Sequence, residues 1–255
     1  MIDAKRSDLC DRPAAWVAGV DGCPAGWVVV LICVVGDAPP RIRVIPSFSE
    51  ILAMPEAPVH IAVDMPIGLA DRVGPGGRAC DIEARRRLGK RQSSVFTVPA
   101  RAAVMEADYR RACAVALAHS APPRKVSKQC FHLFPKIREM DAILTPHMQD
   151  RIFECHPELA FWAMNGEQPL REPKKVKSRA HPPGLALRRR LLLAGGMPAM
   201  VLEEGGALPK GVGADDLLDA AACAWTARRA LQGQAVRLPQ QPPVDARGLR
   251  MEIRA

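Results

Sequence analysis

Several acidic side chains in this 255-residue chain stand where an apolar run stops, and that placement restricts what the chain can fold into. Asp21 ends Trp16-Val17-Ala18-Gly19-Val20, Asp64 ends Val59-His60-Ile61-Ala62-Val63, and Glu154 ends Arg151-Ile152-Phe153. Asp216 and Asp219 open an alanine-rich segment that runs on to Trp225. One unpaired buried carboxylate is costly, and several together repel one another. Carboxylates gathered at the ends of buried elements are most simply explained as ligands of a divalent cation. That directs the reading toward metal-assisted phosphodiester chemistry.

The apolar runs also set the expected elements. Val17–Val20 predicts a short strand, and residues 27–35 predict a long β-branched strand buried on both faces. Arg41-Ile42-Arg43-Val44-Ile45 alternates polar with apolar, as a half-exposed strand does. These three form an antiparallel meander. Ser49 is the expected N-cap of a short helix through Met54, and residues 59–63 are the next strand. Helices are expected at 80–90, 102–120 and 129–140, the last kinked or restarted at Pro135. A strand at 151–155 precedes a helix at 158–165, which begins behind Pro157. Residues 171–190 start as a loop and turn helical near Gly184, and the final helix spans 216–231. Residues 1–15 and 240–255 read as tails. They bracket one α/β domain over 16–239 with a mainly helical insertion around 71–150.

No run of about 18 apolar residues exists, so no transmembrane helix is expected. The charged N-terminus lacks the apolar stretch of a secretory signal, and the chain reads as cytoplasmic. Eight cysteines with no Cys-x-x-Cys fit neither a zinc ribbon nor a disulfide framework, so they are expected as reduced, mostly buried thiols. The formal charge of +9 is concentrated: residues 171–190 hold eight basic residues against Glu172 alone. A second cluster is Arg85-Arg86-Arg87-Leu88-Gly89-Lys90-Arg91. Such patches suit a polyanion, since neutralising phosphates releases counterions. Nucleic acid is therefore the expected partner, with Arg86, Arg87, Lys174, Lys175 and Lys177 as its contacts. With one Tyr, six Phe and four Trp, stacking platforms are too few, and backbone contacts would dominate.

At about 100° per residue, Asp216 and Asp219 fall on one helix face. Ala220 and Cys223 share that face, so its side chains are small enough to let the helix approach a sheet closely. Capping explains Asp215 well and Asp216 in part, but Asp219 lies a turn further in. Asp21 also fits an Asp-Gly turn, whereas Asp64 directly follows three apolar residues. Glu154 and Glu158 flank Cys155-His156-Pro157, where His156 and Glu158 are possible accessory groups. The expected metal ligands are Asp21, Asp64, Asp216 and Asp219, with Glu154 joining them as a catalytic group. Oxygen donors without a thiol or paired histidines favour Mg²⁺ or Mn²⁺. Two such ions about 4 Å apart could activate water and stabilise the leaving oxygen. No Walker loop, Gly-x-Ser-x-Gly elbow or His-Glu-x-x-His occurs.

The chain resembles a family whose members are described as predicted RNase H-like nucleases. Four stretches carry the likeness: Gly19-Val20-Asp21-Gly22-Cys23-Pro24-Ala25-Gly26-Trp27, Val63-Asp64-Met65-Pro66-Ile67-Gly68-Leu69, Ser93-Ser94-Val95-Phe96 and Glu154-Cys155-His156-Pro157-Glu158. The Asp216/Asp219 helix is a fifth. The resemblance implies a ribonuclease H-like mixed five-stranded sheet, three antiparallel strands followed by parallel ones, flanked by helices. It also implies acidic residues on the first strand, the fourth strand and the last helix, where Asp21, Asp64 and Asp216 fall. Asp216-Leu217-Leu218-Asp219-Ala220 is similar to the Asp-x-x-Asp-Ala close of bacterial Holliday-junction resolvases. A metal-dependent nuclease is the leading expectation. An ATP-dependent small-molecule kinase or phosphohydrolase of the actin-like type shares the sheet topology, but it wants hydroxyl-bearing phosphate loops. The turn at 22–26 has no Ser or Thr. A catalytically silent nucleic-acid binder of the same fold is the third reading.

Overall fold

A computed structural model describes residues 14–177, 179–203 and 208–255. Strands β1 (Ala15–Cys23), β2 (Gly26–Val35) and β3 (Arg41–Ile45) come first, then helix α1 (Phe48–Leu52) and strand β4 (His60–Val63). Helices α2 (Ala79–Leu88), α3 (Arg101–Val104), α4 (Tyr109–Ala118) and α5 (Lys128–Ile143) precede β5 (Ile152–Glu154) and α6 (Pro157–Met164). A short hairpin, β6 (Lys175–Val176) with β7 (Arg179–Ala180), leads into α7 (Pro182–Ala194) and α8 (Ala214–Leu231). The chain closes with β8 (Arg237–Leu238) paired to β9 (Ile253–Arg254). The class is α/β, with a mixed sheet of antiparallel and parallel strands that includes the order β3-β2-β1-β4.

Two compact units divide the chain. The first takes the residues up to Asp64 together with Arg171–Ala235. Its centre is β1, which runs antiparallel to β2 and parallel to β4. The β-branched residues that predict these strands fill its core: Val17, Val20, Val28, Val29, Val30, Ile61 and Val63 are fully buried. Helix α8 lies on this layer, packed against β1, β2 and β4. Its alanine-rich face allows an unusually close approach. A Cβ on Gly19 would sit 2.0 Å from both the Ala220 carbonyl oxygen and the Ala224 nitrogen. Only a residue without a side chain fits between strand and helix there.

The second unit takes Met65–Leu170 and Val236–Ala255. Here three differences from the sequence expectation have local causes. The single helix expected at 102–120 is two helices, because Asp108 caps a new start by accepting the Arg111 N–H at 2.9 Å. Helix α5 starts at a Ser127 cap and runs through Pro135 without restarting. Residues 240–255 are not a tail. Met251, Ile253 and Ala255 pack into a core with Cys80, Leu88, Leu159 and Leu238, and Leu249 is buried as well. The Asp245 carboxylate also accepts the backbone N–H groups of Leu69, Arg247 and Leu249, each at 2.9 Å.

In the first unit, α1 begins at Ser47 and not at Ser49. The Ser47 hydroxyl caps the helix by accepting the Glu50 N–H, and it donates to the Glu50 carboxylate at 2.7 Å. The loop expected after 171 contains the β6–β7 hairpin, and α7 starts at Pro182. Of the expected N-terminal tail, residues 1–13 lie outside the described residues, as does Cys10. The seven described cysteines are thiols, six of them buried. Among the described residues no helix is long and apolar enough to cross a membrane.

The Gly19 contact yields a stability prediction. Gly19→Ala forces α8 away from β1, and overpacking of this severity costs about 3 kcal/mol. Urea denaturation of the variant should show a correspondingly lower midpoint. An unchanged midpoint would mean that helix and strand are not held this closely.

Candidate metal centre

Strand register brings the first two carboxylates together. Val20 pairs with Val63 across the parallel β1–β4 ladder, and the Asp64 N–H donates to the Val20 carbonyl at 2.9 Å. The next residue on each strand is an aspartate, so Asp21 and Asp64 emerge side by side. Helix α8 supplies the third. Asp219 immediately precedes Ala220, whose carbonyl faces Gly19, so the close helix–strand contact places this short side chain over the strand ends. One carboxylate oxygen from each of Asp21, Asp64 and Asp219 lies within 4.8 Å of the others. Asp21 and Asp219 are buried, and Asp64 is half-buried. All three belong to the first unit.

Such crowding has an electrostatic cost. Burial pushes the Asp21 carboxyl well above the ordinary aspartate range, and the charges of Asp64 and Asp219 push it further. Lys174 works in the opposite direction. Its ammonium is ion-paired with the Asp219 carboxylate. Burial alone would lower its pKa, but Asp219, Asp21 and Asp64 overcome that and raise it. Three carboxylates and one ammonium leave a formal charge of −2, which one divalent cation balances. The donors are hard oxygens on rigid elements. The residues present therefore fit a divalent cation.

The remaining expected ligands and catalytic groups are not among these three carboxylates. Asp216 caps α8 by accepting the Gly213 N–H at 2.9 Å, and it is not among the three grouped carboxylates. Burial raises its pKa, and the Gly213 hydrogen bond opposes the rise. Glu154, in the second unit, is held by Arg78. The guanidinium donates to both Glu154 oxygens at 2.7 and 2.8 Å and also pairs with Asp81, while the Ile67 N–H donates to Glu154 at 2.8 Å. Buried and chelated in this way, Glu154 is a structural ion-pair partner. His156 precedes α6 with Nε2 3.2 Å from the Ser94 carbonyl, and Glu158 lies 3.9 Å from Arg91.

The basic residues divide in the same way. Lys175 is ion-paired with Asp215 at 2.6 Å, and Lys177 is exposed. Arg86 is exposed, whereas Arg87 pairs with Glu83 and lies over the Trp162 ring. Lys174, expected as a nucleic-acid contact, has its ammonium on Asp219. Within Lys174-Lys175-Val176-Lys177 no spacing signal separates it from its solvated neighbours.

Residues 19–244 match the family described as "Protein of unknown function (DUF429)", and the chain belongs to that family. No curated protein and no solved structure matches it.

The raised pKa of Asp21 gives a pH prediction for metal-free protein. An acid whose native-state pKa is raised holds its proton more tightly when folded, so its contribution to stability falls as pH rises from 3.8 toward the native value. Asp21→Asn removes that loss. In EDTA the variant should gain stability over the parent between pH 4 and pH 7, read by urea denaturation at each pH. A constant difference across that range would contradict the clustered arrangement.

Proposed function

We propose that this protein is a metal-dependent phosphodiesterase of the ribonuclease H-like kind, acting on nucleic acid. The observation that carries the reading is the convergence of the Asp21, Asp64 and Asp219 oxygens within 4.8 Å. Two further features support it. The strand order, with β1 between an antiparallel and a parallel neighbour, puts acidic residues at the ends of adjacent strands and on the covering helix. The +9 formal charge gives an acidic centre in a basic protein, and exposed Lys177 and Arg86 are available to phosphates.

Asp21, Asp64 and Asp219 would hold Mg²⁺ or Mn²⁺. A cation bound there supplies Lewis-acid polarisation of a phosphoryl oxygen and a water made acidic enough to act as nucleophile. The protein's own contribution is placement. Asp21 is oriented by the Gly22 N–H, which donates to its Oδ1 at 2.7 Å, and Asp64 is fixed by the β1–β4 ladder. The raised pKa of Asp21 means that its carboxyl must release a proton for all three carboxylates to serve as ligands, so cation affinity falls in acid. Asp216 holds the first turn of α8, which fixes where Asp219 enters.

Mg²⁺-dependent cleavage of a DNA duplex and of single-stranded RNA tests this reading. Asp64→Asn should lower cleavage by about 100-fold or more while circular dichroism stays unchanged, because Asp64 is a half-buried strand-end residue and not a core contact. Cleavage that survives in Asp64→Asn, or that proceeds equally in EDTA, would overturn it.

A further inference from the structure

Lys174 is too well placed to be one more solvated cation. The segment leading to it is fixed from below. The fully buried Arg188 guanidinium donates to the Glu172 carbonyl at 3.1 Å and to the Gly184 carbonyl at 2.9 Å. A Cβ on Gly184 would sit 1.8 Å from the Pro173 carbonyl oxygen, so α7 rests directly on that peptide. The His181 N–H then donates to the Lys174 carbonyl at 2.9 Å, and β6–β7 pairing begins at the next residue. Lys175 is tied to Asp215 on the first turn of α8. Lys174 thus leaves a braced backbone, and its ammonium ends on Asp219, within the field of Asp21 and Asp64.

We propose that Lys174 is a resident counter-cation which competes with the divalent metal for the three aspartates. It neutralises part of their charge when no metal is bound, and it sets metal affinity as much as the ligands do. The physical basis is simple. A divalent cation on these oxygens and an ammonium on Asp219 are like charges a few ångströms apart with little water between them. The Lys174–Asp219 contact must therefore weaken as the metal enters. Part of the metal's binding free energy goes into that displacement. The Lys174 side chain is 29% exposed while paired, so the displaced ammonium can turn outward to meet an anionic phosphate arriving with the metal.

This inference rests on the metal reading of the site, and the test separates the two. Mn²⁺ binding is followed by the electron paramagnetic resonance of unbound Mn²⁺, without any cleavage readout, for the parent and for Lys174→Met. The Met variant should bind Mn²⁺ at least tenfold more tightly. Its metal-free form should denature at lower urea than the parent, with the gap closing at saturating Mn²⁺. Should the Met variant fail to fold, Lys174→Gln, which keeps a donor for Asp219, carries the same expectation. Equal or weaker Mn²⁺ binding in the variant overturns the competition while leaving the metal site standing. No Mn²⁺ binding by either protein overturns both.

Discussion

A carboxylate on a helix reaches carboxylates at strand ends only if helix and sheet nearly touch. Gly19 makes that possible. With no side chain between β1 and the Ala220–Ala224 backbone, α8 settles onto the strand, and Asp219 arrives beside the ends of β1 and β4. A bulkier residue at 19 would move the helix outward, and a short aspartate cannot bridge the added distance. The β1–β4 register contributes the other half, because pairing Val20 with Val63 brings Asp21 and Asp64 level. The acidic centre is thus a consequence of packing geometry, set by one glycine and one parallel ladder.

Bringing three acids together is unfavourable unless something offsets their repulsion. The structure shows three offsets: the Gly22 N–H on Asp21, the shift of Asp21 toward its protonated form, and the Lys174 ammonium on Asp219. Elsewhere the chain handles buried acids differently. Glu154 and Asp81 share the Arg78 guanidinium, and Asp245 is satisfied by three backbone N–H groups and Arg101. Those groups have permanent partners built from the protein's own donors. In the first unit the Lys174 ammonium is paired with one of three grouped carboxylates, the arrangement in which we propose that a divalent cation competes.

Much of this was legible beforehand, and the failures have physical causes. Asp21 and Asp64 stand out because an apolar run followed by an acid is a local signal. Asp219 stands out because capping does not reach a residue a turn inside a helix, and the small face of α8 announces close packing. Asp216 satisfies both a capping pattern and a ligand pattern; in the structure it accepts the Gly213 N–H and is not one of the three grouped carboxylates. Glu154 is the last residue of a strand and Asp64 the first after one, but Glu154's partner Arg78 is distant in sequence and no periodicity links them. Lys174 is hidden inside a basic run for the same reason. The ordered C-terminal segment shows alternation at Leu249, Met251, Ile253 and Ala255, a signal masked by the Pro and Arg residues around it.

The most direct test is a crystal soaked in Mn²⁺ and measured at the manganese absorption edge. One anomalous peak is expected, bounded by carboxylate oxygens of Asp21, Asp64 and Asp219, with the Lys174 ammonium drawn back from Asp219. A map with no peak there, and with Lys174 still seated on Asp219 at saturating Mn²⁺, would contradict that expectation.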